Sequence, residues 1–319
     1  MNESVERMIL LADIHANEQA LLAVIDHAHE RYGAYAPLRF WFLGDIFGRG
    51  PDVAGAWRRL LDLAPEASVA GNHDWGLLGR SANILTEGRW EGDFNRVDWQ
   101  VLLDQRKELE WLALLSSTKS QHNTGAVADY LVELPVVSVP RPGVFLVHGG
   151  LQAPFESGAA PEALGYRLIW EYVSSPEQAE YTLEVLAALS QGTAQLPQAW
   201  VGGDVSVPPA IVVLGHTHRR FLFRVGPSGG SWQRPVTLDQ EYSWRNDADC
   251  PVVISPGSIG FPRERSSRAA CYAVLWRDAD DIWTITFHEV PFDRLKVQDA
   301  MRGLGRPEET VQLLDVPGE

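Results

Sequence analysis

The chain has only two cysteines, Cys250 and Cys271, and neither belongs to a Cys-x-x-Cys pair. Two thiols cannot build a disulfide framework, and a reducing cytoplasm is the expected location. No run of 18 apolar residues occurs, so no membrane span is expected. The opening stretch, MNESVERMILLADIH, is acidic and its apolar run lasts five residues, which does not suit a signal peptide. Basic excess is lacking too. The formal net charge is −15 and the pI about 5.0. That balance argues against a nucleic-acid or anionic-membrane partner. It does not exclude a small anionic substrate, because bound cations reverse the local field. Repeats, low-complexity tracts and a clear linker are all missing. The expectation is one domain over residues 1–295, with helical insertions near 75–140 and 151–208, then a C-terminal helix and tail over 296–319. Nothing in the sequence sets the oligomeric state.

What is present is a series of short apolar runs that end in polar residues. MILLA (8–12) ends at Asp13, LRFWFLG (38–44) at Asp45, and SVAG (68–71) at Asn72 and His73. GVFLV (143–147) ends at His148 and AIVVLG (210–215) at His216. Each run has the length of a strand buried on both faces. Amphipathic patterns over 17–31 and 52–63 separate the first three. Asn17 is placed to cap the first helix, Gly33 to end it, and Pro51 just precedes the second. Strand, helix, strand, helix, strand is a parallel α/β opening. Further helices are expected over 94–116 and over 175–190, the latter capped by Ser175 with Pro176 at its first position. A sixth apolar run, PVVIS, covers 251–255. Alternating runs at 269–276 and 281–292 predict antiparallel strands added to the sheet core.

In an open α/β sheet, ligands collect beyond the carboxyl ends of the strands. Here those ends carry Asp13, His15, Asp45, Asn72, His148, His216 and His218, and no Cys, Lys or Ser nucleophile motif. Seven oxygen and nitrogen donors are too many for one ion. They suit two divalent ions if a carboxylate bridges, and only Asp13 and Asp45 offer two oxygens. Such donors take Mn²⁺, Fe, Zn²⁺ or Ni²⁺. Two ions about 3.5–4 Å apart form a clamp for in-line displacement at phosphorus.

The ordered set Asp13-x-His15, Gly44-Asp45, Gly71-Asn72-His73-Asp74, His148 and Gly215-His216-x-His218 resembles the calcineurin-like metallophosphoesterases. The segment SPGSIGFPRERSSRAACYAVL (255–275) is similar to that of their small bacterial members. The look is closest to the phosphodiesterase and dinucleoside-tetraphosphatase-like branches. The resemblance implies a four-layer α/β/β/α sandwich of two mixed sheets flanked by helices. It implies a first metal on Asp13, His15 and His218, a second on Asn72, His148 and His216, and Asp45 between them. Mn²⁺ is the expected metal. A hydroxide shared by the two ions would attack phosphorus, with His73 as the catalytic residue over the leaving oxygen.

One departure stands in GDIFGRGP (44–51). Protein serine/threonine phosphatases of this superfamily carry a second Asp where this chain has Gly48, and that Asp pairs with the histidine matching His73. Arg49 matches their phosphate-binding arginine, which predicts a bidentate contact with substrate phosphate. The expected activity is hydrolysis of a phosphate mono- or diester of a small molecule or nucleotide. Alternatives are a dinucleoside polyphosphate hydrolase, a phosphoprotein phosphatase, a nuclease of the same fold and a non-catalytic metal-binding scaffold. Asp74 is expected as a helix N-cap. Arg263, Arg265 and Arg268 form a basic loop, solvated or within reach of an anion. His27, His29, His122 and His288 are expected at the surface.

Overall fold

Among the described residues, the apolar runs lie in two sheets. The computed structural model describes residues 5–33, 37–79, 94, 96–112, 127–156, 158–226, 230–234, 236–245, 249–264 and 268–315. The first sheet opens with β1 (Glu6–Leu11), β2 (Leu38–Phe42) and the two-residue β3 (Ala67–Ser68). These three pair in parallel, with α1 (Glu18–Tyr32) and α2 (Val53–Leu63) as crossovers. Asn17 caps α1 by accepting from the Ala20 N–H at 3.2 Å, and Asp52 caps α2 through the Gly55 N–H at 2.7 Å. The other half of this sheet is antiparallel. It uses β10 (Glu241–Arg245), β12 (Ala270–Arg277) and β13 (Ile282–Val290), in the order β10-β13-β12-β1-β2-β3.

The second sheet has the order β6-β4-β5-β7-β11-β8-β9. Its members are β4 (Val137–Arg141), β5 (Val144–Val147), β6 (Val201–Gly203), β7 (Ile211–Leu214), β8 (Arg220–Arg224), β9 (Ser231–Gln233) and β11 (Val252–Pro256). Side chains alternate along every strand, so each sheet has an inner and an outer face. Met8, Leu10, Trp41 and Leu43 share one apolar cluster with Val144, Leu146, Ile211 and Val213, which joins the inner faces. Ile9, Leu11, Phe42, Phe145, Val147 and Leu214 lie in another that includes the helices' apolar faces. The result is the expected four-layer sandwich.

The connections carry the remaining helices. α3 (Asn72–Leu77) follows β3 directly. α4 (Arg96–Trp111) and α5 (Val127–Glu133) lie before β4, and α6 (Pro161–Trp170) and α7 (Pro176–Ser190) lie between β5 and β6. The tail is more than one helix. α8 (Arg294–Gly303) and α9 (Glu308–Gln312) enclose a small apolar cluster of Val297, Met301, Val311 and Leu314 with Phe261. No helix among the described residues is long and apolar enough to cross a membrane.

Two histidines expected at the surface are not there. His288 on β13 is 1% exposed. Its Nδ1 donates to Asp239 Oδ1 at 2.9 Å, since a carboxylate only accepts. Its Nε2 therefore accepts from the Tyr32 hydroxyl at 2.7 Å. His27 on α1 is half-buried, with Nδ1 2.7 Å from the Tyr272 hydroxyl. These bonds tie α1 to the sheet. His29 is exposed as expected, and His122 lies outside the described residues.

Burial pulls the His288 pKa down to about 4 from 6.5, against the opposing pull of Asp239. The unfolded chain therefore binds the extra proton first. Stability from this group is complete above pH 6.5 and is lost as pH falls towards 4. Urea unfolding of the wild type and His288→Asn checks this. The stability gap between them should narrow by roughly 2–3 kcal/mol from pH 7 to pH 4. A constant gap would show that His288 titrates alike in both states.

Candidate metal centre

Five strand ends meet at one edge of the sandwich. Those of β1, β2 and β3 deliver Asp13 with His15, Asp45, and Asn72 with His73. Those of β5 and β7 deliver His148, and His216 with His218. The structure brings all seven predicted donors together and buries each of them. Five of them, Asp13, His15, Asp45, His216 and His218, have φ between 50° and 61°. Left-handed backbone costs a non-glycine residue on the order of 1 kcal/mol or more, and such residues gather at functional sites. Backbone bonds outside the strands hold these turns. His15 N–H donates to Asp45 O at 2.9 Å, and Gly260 N–H to Asp13 O at 3.0 Å.

Each of the four predicted histidine ligands has one ring nitrogen tied to a backbone carbonyl. Nδ1 donates to Phe47 O from His15 (2.9 Å), to Leu43 O from His148 (2.6 Å) and to Phe261 O from His218 (2.6 Å). His216 uses Nε2 instead, donating to Trp170 O at 2.9 Å. A carbonyl only accepts, so the tied nitrogen carries the proton. The free nitrogen of a neutral ring then presents its lone pair. His15 Nε2 and His218 Nε2 lie 3.0 Å apart, too close for two bare lone pairs without a positive charge between or beside them. Burial first, then neighbouring cations including Arg49 or His148, holds His15, His216 and His218 well below the usual imidazole range.

The carboxylates complete the pattern. Asp13 Oδ1 accepts from His216 N–H at 3.1 Å and Asp45 Oδ1 from His73 N–H at 2.8 Å. The second oxygen of each is buried and, among the described residues, has no hydrogen-bond partner. Asp45 Oδ2 sits 3.4 Å from His148 Nε2 and 3.7 Å from His15 Nε2, between the two histidine sets. Asp13, His15 and His218 form one group with donor atoms close enough for one ion, and Asp45, His148 and His216 form another. Asn72 Oδ1 joins the second, 3.1 Å from His148 Nε2. Burial would lower the His148 pKa, but Asp45 and Asp13 raise it to about 9. Its proton supplies positive charge where a cation would. The donor set thus fits two divalent ions: lone pairs turned inwards from His15, His216 and His218, a fourth from His148 once a cation replaces its proton, and carboxylate oxygens free of hydrogen bonds among the described residues, in a buried site.

Around this cluster stand His73, Arg49 and the inserted helices. The His73 ring packs edge-on to His15 (4.7 Å) and Phe94 (5.1 Å). Its Nδ1 has no hydrogen-bond partner. A Cβ at Gly48 would collide with that ring, and φ there is +93°, so this turn has no room for a second aspartate. Arg49 is 5% exposed, and its Nε is 3.5 Å from Asp98 Oδ1 on α4. Its Nε and Nη1 have no hydrogen-bond partner. Gln105, also on α4 and fully buried, accepts from Gly48 N–H at 2.7 Å and donates to Gly50 O at 2.9 Å. It therefore brackets Arg49. Sequence reasoning missed Asp98 and Gln105, which carry no local motif.

Asp74 is not an N-cap. It is the third residue of α3, and its carboxylate accepts from the N–H groups of Gly71, Asp45 and Ile46 at 2.8–3.0 Å. It pins the β2 turn to the β3 turn. On the other side, Tyr172 stacks on His216 with centroids 4.1 Å apart, and Arg263 lies 5.8 Å over the Tyr172 ring. Arg268 is 4.0 Å from Asp315, an exposed pair, and Arg265 lies outside the described residues.

Metal removal gives the first check. Adding Mn²⁺ to stripped protein should raise Tm by several degrees, since an ion at a hundred times its Kd stabilises by about 2.7 kcal/mol. Asp45→Ala and His148→Ala should lose that rise and retain less bound metal. An equal rise in Asp45→Ala would place the ions elsewhere.

Comparisons with known proteins agree with this geometry. A stretch of 75 residues, 23% of the chain, is 36% identical to a symmetrical bis(5′-nucleosyl)-tetraphosphatase of Legionella pneumophila, of which it spans 26%. An uncharacterised protein of Methanocaldococcus jannaschii is 24% identical over 82% of this chain and 79% of its own. A metallophosphoesterase from Sphaerobacter thermophilus superposes with a TM-score of 0.62 at 24% identity, covering 98% of this chain and 99% of that one. A hypothetical protein from Pyrococcus horikoshii OT3 gives 0.59 at 18% identity, covering 97% of each chain. The family model of the calcineurin-like phosphoesterases matches residues 7–220, from β1 through the His216–His218 turn, and the chain belongs to that family.

Proposed function

We propose that the chain is a metal-dependent hydrolase of phosphate esters on small molecules or nucleotides, with monoesters preferred. One observation carries this reading: four imidazoles, each tied through one ring nitrogen to a backbone carbonyl, and two carboxylate oxygens without hydrogen-bond partners among the described residues converge in one buried site. Asp13, His15 and His218 would hold one ion, Asn72, His148 and His216 the other, and Asp45 both. When bound, two such ions supply Lewis-acid charge and a deprotonated water for in-line attack at phosphorus. Mn²⁺ is the expected pair; Fe, Zn²⁺ or Ni²⁺ also suit the donors.

The chain's own residues do the rest. Arg49 offers two buried N–H groups to the phosphate, and Gln105 holds the turn that aims them. Burial holds the pKa of His73 at about 4, so it is neutral before substrate arrives. An incoming phosphate dianion favours its protonated form, which can then donate to the leaving oxygen. The missing room at Gly48 counts against a close copy of a protein phosphatase. The match to the tetraphosphatase supports a second reading, a nucleoside polyphosphate substrate.

Stripped protein reloaded with Mn²⁺ should hydrolyse p-nitrophenyl phosphate faster than bis-p-nitrophenyl phosphate. Arg49→Ala should cut monoester kcat/KM by tenfold or more, the scale of a lost charge-assisted hydrogen bond, with a smaller effect on the diester. Diester preference in the wild type would make Arg49 secondary. Full activity without metal would sink the reading altogether.

A further inference from the structure

Arg263, in the segment that closes on the β7 turn, has its own architecture. Arg263 N–H donates to the His218 carbonyl at 3.0 Å, so its backbone is anchored to the second histidine of the β7 turn. Its guanidinium lies over Tyr172, whose ring stacks on His216 at 20°. Tyr172 comes from the chain just after α6, so the second insertion and the β11–β12 connection build this corner together. Exposure rises outwards along it. His216 and His218 are buried, while Tyr172 and Arg263 are half-buried. The pair is therefore more exposed than the histidines it adjoins and than Arg49, which is buried.

We propose that Arg263, steadied by Tyr172, is a second anion subsite that binds the phosphate next to the one being cleaved. Among the terminal-phosphate substrates of that reading, a nucleoside diphosphate is then preferred over a nucleoside monophosphate. Three features support this, and it rests on the phosphoesterase reading above. Two guanidiniums at one metal cluster suit a ligand with two adjacent phosphate groups better than one. The Tyr172 ring is engaged by His216 and by Arg263, so this corner recognises charge and offers no base-stacking platform. The planar fork held over an aromatic ring is pre-organised, so little side-chain entropy is lost when an anion binds. Bond cleavage follows the same balance as in the monoester: water adds to the terminal phosphorus, the P–O bond to the next phosphate breaks, and that phosphate leaves with the proton.

The test pairs two probes that differ by one phosphate, adenosine 5′-diphosphate and AMP, with Mn²⁺ in excess. Phosphate release should favour the diphosphate by tenfold or more in kcat/KM, through KM. Arg263→Ala should cost the diphosphate on the order of tenfold and AMP less than threefold, and Arg263→Lys should recover part of the loss. Equal losses on both probes, or no loss on the diphosphate, would overturn the subsite. Calorimetric titration of both nucleotides into Ca²⁺-loaded protein needs no turnover. Tighter binding of the diphosphate that Arg263→Ala abolishes supports the subsite; equal binding of the two overturns it. If no ester is turned over while that binding preference stands, the hydrolase reading fails and the subsite survives. Turnover of AMP with no diphosphate preference has the opposite meaning.

Discussion

Two carboxylate oxygens, Asp13 Oδ2 and Asp45 Oδ2, are buried and accept no hydrogen bond among the described residues. A buried carboxylate short of hydrogen bonds is costly for a fold to carry, and burial raises the Asp13 pKa to about 7. Everything near these oxygens is arranged to keep them in place rather than to relieve them. Their partner oxygens are tied to backbone N–H groups of the neighbouring turns. His15, His216 and His218 turn their protonated nitrogens outwards to carbonyls, leaving acceptors on the inside. Only His148, raised to about 9 by the same carboxylates, brings positive charge inwards. Such a centre is stable only within a rigid frame, and a cation satisfies acceptors that no side chain nearby can.

The frame is the doubled sheet. Each sheet alone would bring only four or three of the seven donors to an edge. Packing their inner faces sets the β1–β2–β3 edge beside the β5–β7 edge, so that Asp45 lies between histidines of both sheets. Left-handed turns then let the chain leave each strand sharply enough to project its donor into the shared space. The strain in those turns is held by bonds from elements far off in sequence. Asp74 gathers three N–H groups from two turns, and the 258–263 segment closes on Asp13 and His218.

The cluster was readable in the sequence because its signal is local. A strand covered on both faces is an uninterrupted apolar run, so a polar residue at its end stands out, and five such ends in order leave little room for coincidence. The parallel opening and the caps at Asn17 and Ser175 follow from equally local rules. What was hidden depends on long-range packing. β6, β9 and β10 are short or half-exposed strands with no apolar run. Gln105 and Asp98 look like ordinary polar positions on an amphipathic helix until α4 is folded over Gly48 and Arg49. His288 sits in an alternating strand where a polar residue reads as outward-facing, yet α1 and its tyrosine cover that face. Asp74 carries the composition of a cap, but its carboxylate reaches across to the β2 turn.

Gly48 shows how one such hidden contact alters the chemistry. In a protein phosphatase of this superfamily, a carboxylate at that position would face the histidine and lie beside the arginine. Here the His73 ring fills the space and no side chain enters. Among the described residues, the carboxylate paired with Arg49 is Asp98 of α4, at 3.5 Å, without a hydrogen bond to Nε. The turn that aims Arg49 is held by the Gln105 amide, which carries no charge. The Nε and Nη1 groups therefore stay open to an arriving phosphate, whose two charges exceed that of the single carboxylate. The same choice leaves His73 without an anionic partner at Nδ1, so its proton must come with the substrate's own charge. Both effects favour a highly charged, compact phosphate group over a neutralised diester linkage, and both originate in a helix that the strand-end motifs do not reveal.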